Sequence, residues 1–348
     1  MGTKESIRAF MGAGVSRRLE AIGESEFERV TEIRLRVDKP MIIKISGSDN
    51  VQEFSPTAED IRETMEKISQ HSFYAFEAEL SAGFITLPGG HRVGVSGQVV
   101  IENGAVKAWR YISGLNIRIA HSVLGCADEV LPHIFKEGEF LHTMVISPPA
   151  YGKTTLLRDI IRQISNGGLT VGLADERSEI AGCFRGIAQN DVGIRTDTLD
   201  GCPKDIAMHM LLRGMSPDVI AVDELGGEAD ARAVDAVLNA GVKLLCTAHG
   251  RDVSDVMANP ALSAVLDRGI FERFIVLDKP KNIAGVWGRS PESPHEMRRV
   301  SEANGAEAGF ARCSEGAWGR SPHYSDGNCG CNFLANKKAT TLQLVTRK

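Results

Sequence analysis

The chain has 348 residues, 43% of them hydrophobic and 24% charged, and a net charge of −5. This is the composition of a folded globular protein long enough for two ordinary domains. The acidic balance gives no electrostatic reason to expect a nucleic-acid partner, no apolar run approaches the ~20 residues of a membrane span, and seven cysteines are too sparse for a disulfide scaffold. Met1 to Phe10 carries Lys4, Glu5 and Arg8 and lacks an apolar signal core, so a cytoplasmic protein is expected.

Residues 1–120 read as a small α+β domain. Thr31–Val37 alternates polar and apolar residues, the mark of a half-buried strand, and Met41–Ile45 resumes as a second strand after Pro40. Ile61, Met65 and Ile68 give Ala58–Ser69 helical spacing, and a second helix is expected over Phe73–Ala82. Phe84–Leu87 and His91–Val100 flank Pro88-Gly89-Gly90 and read as a hairpin. Leu115–Ala120 is the last strand of this part.

Residues 121–285 alternate strand and helix, which implies a mostly parallel sheet covered on both faces. Helices are expected over Ala127–Phe135, Lys153–Asn166, Asp205–Leu212, Asp230–Ala240 and Val253–Met257, with Gly167 and Gly241 where C-terminal caps belong. Phe274–Leu277 is the last strand expected. Cys126, Cys183, Cys202 and Cys246 stand singly here and read as small buried hydrophobes. Residues 286–348 are rich in Gly, Ser, Glu, Arg and Asn, lose periodicity and read as a largely disordered low-complexity tail. The string Trp-Gly-Arg-Ser-Pro occurs twice, at Trp287–Pro291 and Trp318–Pro322. Cys313, His323, Cys329 and Cys331 fit no usual zinc spacing.

The chemistry concentrates in Ser147-Pro148-Pro149-Ala150-Tyr151-Gly152-Lys153-Thr154-Thr155. It lies between the apolar run Met144-Val145-Ile146 and a segment with Leu156, Leu157, Ile160, Ile161 and Ile164 at helical spacing. Strand, tight loop and helix in that order make a phosphate-binding P-loop, whose backbone N–H groups gather at a helix N-terminus. Lys153 is placed to reach the β- and γ-phosphates of a nucleotide and the Thr154 hydroxyl to ligate Mg²⁺. The pattern usually opens with glycine, and that position is Ser147. Pro148 and Pro149 donate no N–H, so the donors fall to Tyr151–Thr155.

Val219–Val222 reads as a short buried strand ending in Asp223-Glu224. Asp223 is placed to hold Mg²⁺ and Glu224 to polarise the attacking water. A second acidic cluster, Asp175–Glu179, follows the strand Thr170–Ala174. In an open parallel sheet it faces the same crevice, so the general base is Glu224 or Glu176. Lys243–Cys246 ends in Thr247-Ala248-His249, where His249, with Thr247 second, can sense the terminal phosphate. Arg195 and Arg213 are the candidates for an arginine supplied by a neighbouring subunit.

Taken together, Glu32–Arg36, Gly89–Gly94, Leu115–Ala120, Asp175–Gly182, Val222–Gly226 and the proline-containing loop at Ser147 resemble the stage III sporulation protein AA family over about residues 5–285. The resemblance implies kinship with the ATPases of type II and type IV secretion: a RecA-like domain that hydrolyses ATP with Mg²⁺. It also implies a homo-oligomeric, hexameric ring with sites between subunits, and an N-terminal domain that moves against the ATPase domain. It further implies an ATPase on the mother-cell side of a channel between mother cell and forespore, peripheral to that membrane. The membrane proteins of the sporulation channel are then its partners. In the resemblance Asp223 and Glu224 match the second acidic motif of such ATPases, Asp175 and Glu176 an aspartate-rich box and His249 a histidine box. The N-terminal arginines Arg34, Arg36, Arg92 and Arg118 are candidates for contact with a neighbouring protomer or its nucleotide. Two other readings stay open: a non-hydrolysing scaffold that binds ATP to assemble, and a nucleic-acid motor whose lumen hides basic charge.

Overall fold

The structure, a computed structural model, describes residues 3–70, 76, 79–80, 83–121, 123–225, 228–266, 269–279, 282–289 and 297–300. Three short helices open the chain, α1 (Thr3–Ala9), α2 (Ala13–Glu20) and α3 (Glu24–Phe27). Strands β1 (Val30–Arg36), β2 (Lys39–Ile45) and β3 (Ser48–Val51) follow. Helix α4 (Ala58–Ile68) starts at a capping box, in which the Thr57 hydroxyl accepts from Asp60 N and the Asp60 carboxylate accepts from Thr57 N. Strands β4 (Phe84–Thr86), β5 (Arg92–Glu102) and β6 (Ala105–Arg118) complete an antiparallel sheet in the order β3-β2-β1-β6-β5-β4. Its buried face, with Ile33, Leu35, Ile43, Val93 and Ile117, packs against Ile7, Val15, Leu19, Ile61 and Met65 of the helices. The hairpin around Pro88-Gly89-Gly90 forms as expected, with Phe84 opposite Gly94 and Thr86 opposite Arg92.

The second sheet orders its strands β11-β10-β12-β13-β9-β14-β15-β16. In chain order come the short pair β7 (Phe135–Lys136) and β8 (Glu139–Phe140), then β9 (Thr143–Ser147), α5 (Lys153–Asn166), β10 (Val171–Asp175) and β11 (Thr196–Asp200). Next are α6 (Lys204–Gly214), β12 (Val219–Glu224), α7 (Glu228–Asn239), β13 (Lys243–His249), α8 (Val253–Met257) and α9 (Pro260–Leu266). The last strands are β14 (Arg273–Lys279), β15 (Asn282–Arg289) and β16 (Met297–Arg299). From β11 to β14 every pairing is parallel. Strand alternation divides the core between the two faces. Val145, Leu173, Ala221 and Leu245 meet Leu157, Ile160 and Ile164 of α5, whereas Met144, Ile220, Val222 and Leu244 meet α6 and α7 through Met208, Leu211, Val234 and Val237. This is the mostly parallel, doubly covered α/β sheet the sequence implied.

Four expectations are corrected. Ala127–Phe135 is not a helix: its apolar residues Val130, Leu131 and Ile134 are buried, but the segment forms turns and one 3-10 turn at Leu131–His133, with Pro132 inside it. Regular structure does not stop at Leu277, because β15 and β16 extend the sheet antiparallel to β14, carried by Val286, Trp287 and Met297 packing at its edge. Of the expected disordered tail, residues 286–289 and 297–299 therefore belong to this sheet, Val300 follows them, and the rest, with the cysteines after residue 300, lies outside the described residues. The predicted helix Phe73–Ala82 lies mostly outside them as well. Cys126 and Cys202 are only half-buried, while Cys183 and Cys246 are buried as expected. No helix among the described residues is long and apolar enough to cross a membrane.

Candidate nucleotide site

β9 ends at Ser147, which is buried and extended, and its hydroxyl donates to the Pro148 carbonyl at 2.9 Å. The left-handed residues of the loop are Ala150 (φ 67°) and Gly152 (φ 96°). A glycine is therefore required at position 152, where the chain turns into α5, and not at position 147, which explains why serine is tolerated there. The Gly152 carbonyl accepts the first helical hydrogen bond, from Leu156 N at 2.9 Å. The next residue, Lys153, is 8% exposed, and its Nζ is buried without a hydrogen-bond partner. Burial holds this ammonium below the usual lysine range, and the carboxylates of Glu224, Asp223 and Glu179 oppose that shift.

Lys153 lines a cleft of about 520 Å³, a size suited to a small ligand. The cleft is lined by Pro148–Ala150 and Gly152–Thr155, by Asp223, Glu224 and His249 at the strand ends, and by Gly90, Arg92, Arg118, Ile119 and Ala120 of the N-terminal region. Parallel pairing puts the ends of β9, β12 and β13 side by side, with His249 opposite Ser147 and Thr247 opposite Glu224. His249 Nε2 lies 2.9 Å from Glu224 Oε2, and the Thr247 hydroxyl donates to Asp223 Oδ1 at 3.2 Å. Asp223 and Glu224 are both half-buried at the cleft.

The other expected residues are placed less centrally. Ser147 and Tyr151 back the loop without lining the cleft. Glu176 is exposed outside it, 3.5 Å from Lys204 Nζ, and the same ammonium donates to the Glu224 carbonyl. Asp175 turns away from the cleft: its carboxylate accepts from the N–H groups of Glu179, Ile180 and Ala181 at 2.8–3.1 Å. It is fully buried, and desolvation lifts it to about 6 although those three bonds pull the other way. Arg195 and Arg213 are exposed and neither lines the cleft: Arg195 lies just before β11, where its N–H donates to Ser165 Oγ near the end of α5, and Arg213 lies in the last turn of α6. Arg34 pairs with Glu32 on β1, and Arg36 is exposed at the end of that strand; neither lines the cleft.

Arg177, Ser178 and Glu179 of the expected acidic cluster do line the cleft, and Arg158 lines it without having stood out in the sequence. Arg158 follows Thr154 by one helical turn, a spacing that would have put it on the same flank of α5. With Lys153, Arg92, Arg118, Arg158 and Arg177 against Glu179, Asp223 and Glu224, the cleft gathers positive charge within an acidic chain. The residues present fit a polyphosphate with its metal. The buried ammonium lacks a partner that a phosphate would supply, and the loop bends around a left-handed glycine at a helix N-terminus. The Thr154 hydroxyl and the Asp223 carboxylate are oxygen donors of the kind Mg²⁺ takes.

A cleft of this kind, at the carboxyl ends of parallel strands and beside such a loop, places the fold among the RecA-like P-loop proteins. Within that class the chain belongs to the family described as "Sporulation stage III, protein AA", whose model matches residues 1–293, eight residues beyond the span that the motifs suggest. Stage III sporulation protein AA of Bacillus subtilis (strain 168) is 41% identical over 268 residues, 76% of this chain and 87% of that relative. The Yersinia pseudotuberculosis ATPase DotB superposes with a TM-score of 0.49 at 15% identity, over 79% of this chain and 75% of DotB. The pilus retraction motor PilT, solved with bound ADP, gives a TM-score of 0.48 at 15% identity, over 73% and 76%.

Proposed function

We propose that the chain is an ATPase that binds ATP with Mg²⁺ in this cleft and works as a homo-oligomeric, hexameric ring. It would power transport or assembly at the channel between mother cell and forespore, beside the membrane proteins of that channel. The observation that carries the reading is the buried Lys153 ammonium, which has no hydrogen bond of its own and sits between a phosphate-binding loop and two strand-end carboxylates. An unpaired buried charge is costly, and an anion in the cleft removes that cost.

In this reading the N–H groups of Tyr151–Thr155 and Lys153 hold the phosphates, and Thr154 and Asp223 hold Mg²⁺. The metal supplies neutralisation of charge on the β- and γ-phosphates when bound. Thr247 orients Asp223 through its hydroxyl. Glu224, in the cleft and 2.9 Å from His249, orients the attacking water, with His249 beside the terminal phosphate. Glu176, drawn off by Lys204, is the weaker candidate for the base. Arg195 and Arg213 line no part of their own chain's cleft, and in this reading one of them serves the cleft of a neighbouring subunit. Calorimetric titration of Mg²⁺–ATP, with phosphate release and light scattering with and without nucleotide, tests the reading. No binding heat at millimolar nucleotide ends it. Binding and assembly without phosphate release leave the scaffold reading in its place.

A further inference from the structure

The connection between β10 and β11 is held from three sides. From the nucleotide-binding helix, Arg158 Nε donates to the Ile180 carbonyl at 2.6 Å and its Nη2 to the Glu179 carbonyl at 2.7 Å. From the end of β10, Asp175 caps the N–H groups of Glu179, Ile180 and Ala181. From the N-terminal sheet, Arg92 at the start of β5 reaches Glu179 Oε1 at 3.1 Å and also donates to the Arg177 carbonyl. Further along, Gly89 N donates to Gln189 Oε1 at 2.9 Å, and Asn190 Nδ2 donates to the Ile180 carbonyl at 2.8 Å. Gly182 and Gly90 let the two backbones meet: a Cβ on Gly182 would lie 3.3 Å from Gly90 Cα.

The turn Arg177–Gly182 is therefore fixed to the phosphate-binding helix on one side and to the antiparallel sheet on the other. Arg158 is the only cleft-lining residue of α5 among the described residues that bonds this turn, and it stands one turn past Thr154. A planar guanidinium spanning two successive carbonyls resists rotation as well as separation, which a single ammonium cannot do. We propose that Arg158 is a positioning residue that couples the nucleotide cleft to the N-terminal sheet. A displacement of α5 when phosphate seats on the loop is passed through the Glu179 and Ile180 carbonyls to Arg92 and the β4–β5 turn. The inference rests on the nucleotide reading above and adds a route by which the cleft would move the N-terminal sheet.

The test uses the full chain, with hydrogen exchange of residues 87–92 followed with and without Mg²⁺ and a non-hydrolysable ATP analogue. In the wild type the analogue is expected to change exchange there. In Arg158→Met, with the analogue at a concentration that saturates that variant, the response at 87–92 should disappear, and turnover should fall roughly tenfold in kcat. Arg158→Lys should not restore the response. Arg92→Gln should abolish it too, and the double variant should lose no more turnover than the worse single one, as for two members of one path. If Arg158→Met does not fold, Arg92→Gln decides alone. A wild type that binds the analogue without any response at 87–92 overturns the coupling, as does either single variant that keeps the response. A wild type that binds no nucleotide refutes the nucleotide reading itself.

Discussion

Replacing Lys153 by methionine separates the lysine's role in the fold from its role toward a ligand. The stem is kept and the charge removed. In the free chain the ammonium is buried, lacks a hydrogen bond and is held below its usual pKa by desolvation. An unsatisfied buried polar group costs about 1–3 kcal/mol, more when charged. Asp223, Glu224 and Glu179 offset part of that cost here. Without nucleotide, Lys153→Met is thus expected to be as stable as the wild type or up to about 2 kcal/mol more stable. With Mg²⁺–ATP at about 100 times Kd the wild type gains about 2.7 kcal/mol and the variant almost nothing. Without nucleotide the variant then melts level with the wild type or up to about 8 °C above it, and with nucleotide about 1–11 °C below it, since 1 kcal/mol is roughly 2–4 °C in a domain of 150–250 residues. Differential scanning calorimetry reads both. A variant that melts well below the wild type without nucleotide would show that Lys153 is a structural contact. One stabilised by nucleotide as much as the wild type would show that the ligand sits elsewhere.

Glu224→Gln should cut phosphate release by at least about 100-fold while retaining bound ATP, and Glu176→Gln should leave it within about threefold; the opposite ranking, by single-turnover assay, moves the base to Glu176. Two buried groups give opposed pH dependences. Asp175 is raised from 3.8 to about 6, so the folded chain binds the extra proton and this contribution to stability declines as pH rises from about 4 to about 6. His91, 3% exposed, is lowered by burial from 6.5 to about 4, so its contribution declines as pH falls through that range. Relative to the wild type, His91→Gln should tilt the stability profile between pH 4 and 6 toward values that fall as pH rises, read from urea midpoints; an unchanged tilt in that variant removes the His91 assignment. Gly182→Ala places a Cβ at φ 57° and 2.9 Å from Asn190 Nδ2. It should cost roughly 1–3 kcal/mol with an unchanged denaturant slope, and a neutral result would mean that the turn at Gly182 relaxes freely.

The site was legible in the chain where burial and covalent spacing act together. The helix Lys153–Asn166 has the predicted bounds, because a left-handed glycine starts it and Leu156, Leu157, Ile160, Ile161 and Ile164 form one unbroken stripe. The acids after Val219–Val222 and the histidine after Lys243–Cys246 reach the cleft because parallel register fixes the strand ends. What could not be read was settled by pairing or by loops. β11 (Thr196–Asp200) is an edge strand of polar residues without periodicity, held by β10 and not by its own apolar face. Asp175 was expected in the crevice, but a carboxylate followed by free N–H groups folds back onto them, and spacing does not say which way it turns. Ala127–Phe135 had helical spacing, yet Gly125 at φ 80° and Pro132 favour turns that bury the same side chains. Arg158 acquires meaning only once the β10–β11 connection and the N-terminal sheet are brought together.

The cleft has two owners. Arg92 and Arg118 belong to one sheet and the loop Pro148–Thr155 follows β9 of the other, so a fragment beginning near His121 would present an open ledge in place of a pocket. Affinity measured on such a truncation would describe a different molecule. Grafting either half onto a relative would demand matching surfaces at Gly89–Arg92 and Arg177–Asn190, which ties the two halves into one unit of inheritance.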